Sequence, residues 1–482
     1  MTDQGRNGTD QAMWRAISEI VAAHVVMLRD EDVFDEPVAQ AVLTALEATQ
    51  AGAVPATDGP TTLVAAFDQR LDALTSPEAA GAGGVARLRA ETASTAMRLV
   101  IRNELLTTMG AIDQARLGWI TFGGQHTLTI MPGYGEGRPL QPTTLAHWLT
   151  GLTGPLARAV GVGRQAYGEI NRSAIGAGNL AGSNLRVNRE AVAQMLACDG
   201  AVESTFDALS GVDYLAAATM PCAIAAGAIQ RFAEELRTWL RAEPGSLRVS
   251  AGWVGESDPG LPQSRPARLL DRLVMDAVAI STDSASLQVM AGKVPYGPAG
   301  EMAEEMFARS VTILRATAVL AEQLARLATG ELEVNRAWLA SRAGREMTTV
   351  GDLADFLLLE EGIDPASSRA IASMVIRKAI DEGQEATAIT TQAIDAAALL
   401  VIGRELGIEM EKLGAWLAPR RFLERRTGLG SAGTGPTRDL LEHELIRTRS
   451  DERWREERLA AISEAHHVLR QEVDAIIAER TS

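Results

Sequence analysis

Cysteine is nearly absent from this 482-residue chain, which holds only Cys198 and Cys222. Two thiols cannot build a disulfide framework, and they have no metal-ligand spacing, so both read as small buried hydrophobes. Aromatic residues are equally sparse, at 4% against 46% hydrophobic residues overall. That balance points to an aliphatic core of packed helices rather than to sheets. Basic charge is in deficit: the formal net charge is −16 and the pI about 5.0. A nucleic acid or an anionic membrane as main partner calls for a basic patch, so both are disfavoured. The most apolar run, Tyr214 to Ile229, contains Pro221 and falls short of the roughly 20 residues of a membrane span, so it reads as a buried core helix. Met1 to Asp10 is polar and has no apolar targeting segment, and a cytoplasmic protein is expected. Internal repeats, a Walker loop and a dinucleotide fingerprint are also absent. Gly161-Val162-Gly163 follows a helix rather than a strand, which makes it a weak phosphate cradle. No metal and no cofactor is expected.

What is present is helical periodicity. Met13 to Ala51 carries apolar residues at helical spacing, and Gly- and Pro-containing Ala51 to Pro60 reads as a linker before a short helix, Thr62 to Leu74. From Val85 onward the helices lengthen: Arg87 to Met109, then one starting at Pro142 and ending near Gly161 and Gly163. Further helices follow at Ser204 to Arg241 with a kink at Pro221, Ala267 to Met290, and Glu301 to Leu327. Helices this long and this apolar must pack as a bundle, and we expect neighbouring copies to complete it. After Thr348 they shorten, with a clear start at Asp364-Pro365. The charged stretch Thr437 to Arg480 reads as a helix with a solvated face, or as an arm clasping another subunit. The expected organisation is an N-terminal helical domain (1–85), a central long-helix bundle with active-site loops (86–345) and a C-terminal helical domain with a charged tail (346–482).

The run Met131-Pro132-Gly133-Tyr134-Gly135-Glu136-Gly137-Arg138-Pro139-Leu140-Gln141-Pro142 resembles the second signature region of the argininosuccinate lyase family, in the fumarase/aspartase superfamily. The resemblance extends over almost the whole chain. The best-kept block is Asn171-Arg172-Ser173-Ala174-Ile175-Gly176-Ala177-Gly178-Asn179-Leu180-Ala181-Gly182-Ser183. It implies an all-α, three-domain fumarase/aspartase-like fold with a central long-helix bundle, a homotetramer, and a β-elimination that releases fumarate from a small carboxylate substrate.

The signature residues themselves depart from the family. A Thr-His pair is replaced by Gly135 and Glu136. In the first signature, Arg87 to Thr92, Arg89 keeps the family arginine while Ala90 replaces an asparagine that holds a substrate carboxylate. The third, a serine- and lysine-bearing mobile loop, corresponds to Gly255 to Pro266, where the base position falls on Glu256 or Ser257 and Arg265 supplies the positive charge. Lys293-Val294-Pro295-Tyr296 resembles the turn whose tyrosine lines the pocket.

The family chemistry needs a base beside a Cα proton, cations or amides for a doubly negative intermediate, and an acid for the leaving group. On this chain the resemblance assigns Glu256 or Ser257 as base and Glu136 as proton donor if burial raises its pKa. Arg89 and Arg265 become the anion stabilisers, and Arg138, Gln141 and Tyr296 contact the substrate. Alternatives stay open: an intersubunit salt bridge for Arg89, solvated loop acids for Glu136 and Glu256, and packing for His147. The function expected is a divergent lyase of specialised metabolism that cleaves a C–N bond, or adds across a double bond, on a carboxylate substrate other than argininosuccinate. The alternative is a catalytically silent homologue kept as a binding or structural subunit.

Overall fold

The structure is a computed structural model that describes residues 3–135, 137–256, 259–261, 267–298 and 300–478. The chain opens with α1 (Asp3–Asp30), α2 (Glu36–Gln50) and α3 (Pro60–Leu74), followed by α4 (Arg89–Gly124). A hairpin of β1 (Ile130–Gly135) and β2 (Arg138–Thr144) leads into α5 (Leu145–Ile170). Short helices α6 (Arg189–Met195), α7 (Thr205–Ser210) and α8 (Asp213–Ala217) precede α9 (Met220–Ala242) and β3 (Leu247–Val249). The bundle closes with α10 (Arg268–Ala291), α11 (Glu301–Arg326), β4 (Leu332–Val334) and α12 (Arg336–Arg342). Then come α13 (Leu353–Leu359), α14 (Pro365–Asp381), α15 (Thr391–Ile402), α16 (Met410–Leu417), α17 (Pro419–Glu424) and the 45-residue α18 (Thr434–Ala478). The fold is all-α, with two small antiparallel ladders, β1–β2 and β3–β4.

Helix α4 is the centre of the bundle and packs against α1, α3, α5, α11 and α18. It is buried almost all round, from Ala93 and Ala96 through Leu105, Met109 and Trp119, so neighbours on every side must satisfy it. It runs on to Gly124 rather than ending near Met109. Its glycines are sites of close approach there: a Cβ on Gly118 would touch the Ala328 side chain, and one on Gly123 would touch Leu441. The apolar run Tyr214 to Ile229 turns one face into the core, with Leu215, Cys222 and Ile229 fully buried, while Met220 and Ile224 are exposed.

Several helix boundaries differ from the sequence reading. Pro142 does not open a helix but sits in β2 opposite Pro132, and α5 begins at Leu145, where Thr144 caps it by accepting from the His147 N–H. Helix α5 then continues through Gly161 and Gly163 to Ile170. Ser204 to Arg241 is three helices, not one kinked rod: the first ends at its cap Gly211 and the second at its cap Ala218. Pro221 lies in the first turn of α9, where its missing N–H costs nothing. Asp364 does cap α14, accepting from the Ala366 and Ser367 amides at 3.0 Å.

The main hydrophobic core joins α1–α5 to α9–α12, while residues 350–417 pack around a core of their own. Helix α18 returns along the main core. It buries Leu441, Ile462, Leu469, Val473 and Ile476 against α1, α2, α4 and α5. Asp451 of α18 ties to Arg116 of α4 at 2.8 Å in a fully buried contact that also includes Asp113.

Candidate functional site

The first signature is built where α3 meets the start of α4. Asp68 on α3 divides its carboxylate between two arginines: Oδ1 accepts from Arg87 at 2.6 Å and Oδ2 from Arg89 at 3.4 Å. Arg87 is committed to structure; its side chain is 1% exposed and also donates to Gly83 O and Thr92 Oγ1. Arg89 is different. Its side chain is 54% exposed, its partner Asp68 is distant, and it opens on a cavity of ≈440 Å³ lined by Asp68, Asp72, Gly83 and Arg87. An exposed guanidinium so loosely held is free to turn toward a carboxylate.

Two residues on, Glu91 is wholly buried. Its Oε1 accepts from the Leu88 N–H at 2.9 Å, closing the first turn of α4, and its Oε2 accepts from the Gly178 N–H at 2.8 Å. Glu91 therefore fastens the glycine-rich segment to the helix that carries Arg89. Burial pushes its carboxyl up to about 7, against two amide bonds and the charges of Arg87 and Arg189, which act the other way. Gly178 has φ +60°, and a Cβ there would collide with the Gly182 carbonyl, so only glycine fits this turn. Arg189 completes the support by donating to the carbonyls of Ile175 and Val202. Ala90 packs on a small satellite core with Ala174, Ala177 and Ala208.

The second signature forms the β1–β2 hairpin, and the chain's scarce aromatics gather beneath it. Tyr134 packs on Trp239, Trp239 on Trp148, and Trp148 on Phe232 with tilted rings, and Phe232 meets Trp119 edge to face, with ring centroids 4.6–5.6 Å apart. Burial and the nearby Glu243 carboxylate raise the Tyr134 hydroxyl to about 12, so this tyrosine anchors the hairpin and does not exchange protons at neutral pH. His147 has both ring nitrogens engaged, with Thr143 Oγ1 at 2.9 Å and Gly430 O at 3.1 Å, and serves packing. Arg138 and Gln141 are exposed on β2. Gln141 reaches the C-terminal helices, since a Cβ on Gly351 would lie 3.2 Å from its Nε2.

Glu256 is exposed on the loop after β3. That loop is pinned by Trp253, whose Nε1 donates to Glu331, and by Gly255, which packs on the Arg268 side chain. Tyr296 is 93% exposed beyond the end of α10. Glu136, Ser257 and Arg265 lie outside the described residues.

The chain does not draw these groups into one pocket, and helix length is the reason. Arg89 opens α4 and the hairpin follows its far end, 36 residues or roughly 54 Å away along the axis. Glu256 and Tyr296 flank α10, whose 24 residues span about 36 Å. What one chain does assemble is Asp68, Arg87, Arg89, Glu91, Gly178 and Arg189. Asp68 and Glu91 were not singled out from sequence. The available signal was the position of Glu91 three residues after Leu88, the reciprocal capping position at a helix start.

The chain is a bundle of long helices with an exposed arginine at one end and a glycine-rich turn fastened beside it, an arrangement that lyases of known structure share in its helical scaffold. The comparisons agree. A family model described as lyase matches residues 40–251. Argininosuccinate lyase of Methanosarcina acetivorans is 24% identical over 463 residues, covering 95% of this chain and 91% of that protein. Argininosuccinate lyase of Natronomonas pharaonis is 33% identical over 234 residues, 48% of this chain and 47% of that one. Among solved structures, EDDS lyase in complex with formate superposes with a TM-score of 0.85 at 23% identity, covering 97% of this chain and 92% of that chain. The class II fumarase of Schistosoma mansoni gives 0.67 at 14% identity, covering 87% and 91%. The chain is thus similar to argininosuccinate lyases over most of its length, carries a lyase family match over residues 40–251, and shares its fold with EDDS lyase and fumarase.

Proposed function

We propose that this protein is a β-elimination lyase that cleaves, or in reverse forms, a C–N bond on a carboxylate substrate other than argininosuccinate, with its site completed between copies in a homotetramer. The observation that carries the reading is Arg89, kept from the family pattern, half-exposed over a cavity and held by Asp68 at only 3.4 Å. The structural neighbour EDDS lyase has been solved as a variant with bound fumarate, which supports a dicarboxylate product. In this scheme Arg89 grips a substrate carboxylate through its two-pronged fork. Arg138 and Gln141 approach from another chain, because α4 separates the hairpin from Arg89 by its whole length, and Tyr296 contacts the same substrate. Glu256 or Ser257 removes the Cα proton, Glu136 protonates the leaving nitrogen, and Arg265 helps to hold the negative intermediate.

The test is a screen of purified protein against succinyl adducts of amines, amino acids and aminopolycarboxylates, followed by fumarate absorbance. Turnover is expected with at least one adduct, and Arg89→Gln should lower kcat/KM about 10- to 100-fold, the loss of one charge-assisted carboxylate contact. Glu256→Gln should lower kcat if it is the base. A well-folded tetramer that turns over none of them would instead favour a silent subunit that serves a partner.

A further inference from the structure

The C-terminal helices carry an open groove of ≈450 Å³ that the scheme above leaves unused, bounded by Gly351 and α14. Ala372 and Ile376 line it with apolar surface, and Arg369, Ser373 and Arg377 line it with polar groups. The three polar residues stand four apart on α14, so they form one row on a single helix face, with the two arginine positions about 12 Å apart along the axis. Arginine side chains are long enough to converge over Ser373 from both ends.

The protein is acidic, and several C-terminal cations are matched: Arg420 and Arg421 to Glu424, Arg425 and Arg426 to Asp352, and Lys412 to Glu361. Arg369 and Arg377 make no ion pair or hydrogen bond among the described residues. Two unmatched guanidinium groups over an apolar strip fit carboxylates joined by a hydrocarbon chain, the guanidinium forks taking the charge and the strip the methylenes. The groove also adjoins the second signature, because the Gly351 that borders it is the residue against which Gln141 rests.

We infer that this groove is a second carboxylate-binding site, in which Arg369 and Arg377 hold the distal carboxylates of an extended polycarboxylate while Ser373 donates a hydroxyl between them. Its assignment to a substrate rests on the lyase reading; its affinity for carboxylates does not. Recognition at the far end of the molecule would let an altered first signature be retained while the substrate changes, because binding energy remote from the reacting bond still positions it.

The experiment uses full-length protein carrying Arg89→Gln, so that the first-signature cavity is silenced and citrate, titrated by calorimetry, reports the groove. Adding Arg369→Gln and Arg377→Gln together should weaken citrate binding about tenfold, as expected for two partly exposed charged contacts. Arg369→Lys with Arg377→Lys should restore only part of the affinity, since lysine keeps the charge but loses the fork. All three positions are exposed or loosely held, and matching melting temperatures confirm folding. If a substrate has been found, the Gln pair should raise KM with little change in kcat for an adduct bearing a distal carboxylate, and leave unchanged an adduct without one. If no adduct turns over while citrate binding still depends on the arginines, the lyase reading fails and the site stands. Citrate affinity unchanged by the Gln pair, or matched by sulfate at equal concentration, overturns the site.

Discussion

Replacing Glu91 by glutamine tests whether this buried carboxyl titrates as the structure implies. Both of its oxygens accept backbone N–H bonds, from Leu88 and Gly178. A glutamine amide offers only one acceptor oxygen, so its NH2 must face one of those N–H groups, a mismatch worth about 1–3 kcal/mol. Against this stands the burden of the native charge. Burial raises the Glu91 pKa from 4.5 to about 7, so the folded state holds a proton that the unfolded state releases. The stability this carboxyl contributes is full below pH 4.5 and is lost as pH rises through 7, a swing of about 3 kcal/mol. Glutamine has no such slope. The variant should be less stable than the parent at pH 5, and the difference should shrink or reverse by pH 8. With an unfolding entropy of roughly 2 cal/mol/K per residue, whole-chain unfolding changes by about 1 kcal/mol per degree, so the difference in Tm should drift by about 3 °C. The assay is differential scanning fluorimetry of both proteins at pH 5, 6, 7 and 8, at one concentration and one scan rate. Other titrating groups are common to both proteins and cancel. A difference that stays flat, or that grows with pH, would refute the reasoning by showing that Arg87 and Arg189 outweigh burial.

Arg116→Met should cost about 3–5 kcal/mol, because it leaves Asp113 and Asp451 buried together without the guanidinium both contact at 2.8 Å. The loss should be smaller at pH 5, where Asp113, raised by burial to about 7, carries a proton, and limited proteolysis should reveal new cleavage within α18. His24, buried and donating its Nε2–H to the Val85 carbonyl at 2.9 Å, has its pKa lowered by burial to about 4. The unfolded state therefore takes up the proton first, and stability present above pH 6.5 should fall by about 3 kcal/mol as pH drops through 4; His24→Gln should flatten that acid limb in thermal melts.

Much of the architecture was legible because long helices advertise themselves through periodicity and punctuation. Asp364-Pro365 opens α14 where its cap chemistry says it should. The failures also have physical causes. Proline is as suitable for the exposed edge of a two-stranded ladder as for a first helical turn, so Pro142 looked the same in either role until Pro132 was found opposite it. The buried stripe of α18, Leu441 to Ile476, is diluted by charged residues on its other faces, and sequence alone could not say that the stripe packs on its own chain. At the site, Arg89 was recognisable from its motif. Asp68 and Glu91 were not assigned because their roles depend on partners 21 and 87 residues away in sequence. Pairing at such distances is a product of packing, which periodicity does not record.

The distribution of change within the chain bears on the proposed chemistry. Each signature has a part that positions and a part that would react, and the structure separates them. At the first, Glu91 and Gly178 hold the helix start while Arg89 stays exposed. At the second, Tyr134 and Trp239 anchor the hairpin, and Arg138 and Gln141 project from it. At the third, Trp253 is clamped by Glu331 three residues before the exposed Glu256. The anchors of all three are satisfied within one chain. The exposed groups sit at opposite ends of helices about 36–54 Å long, so they can meet only if antiparallel copies lie side by side. Those anchors stabilise the fold whether or not the exposed groups react, so the enzyme and the silent subunit are separated by turnover in the substrate screen and not by the anchors.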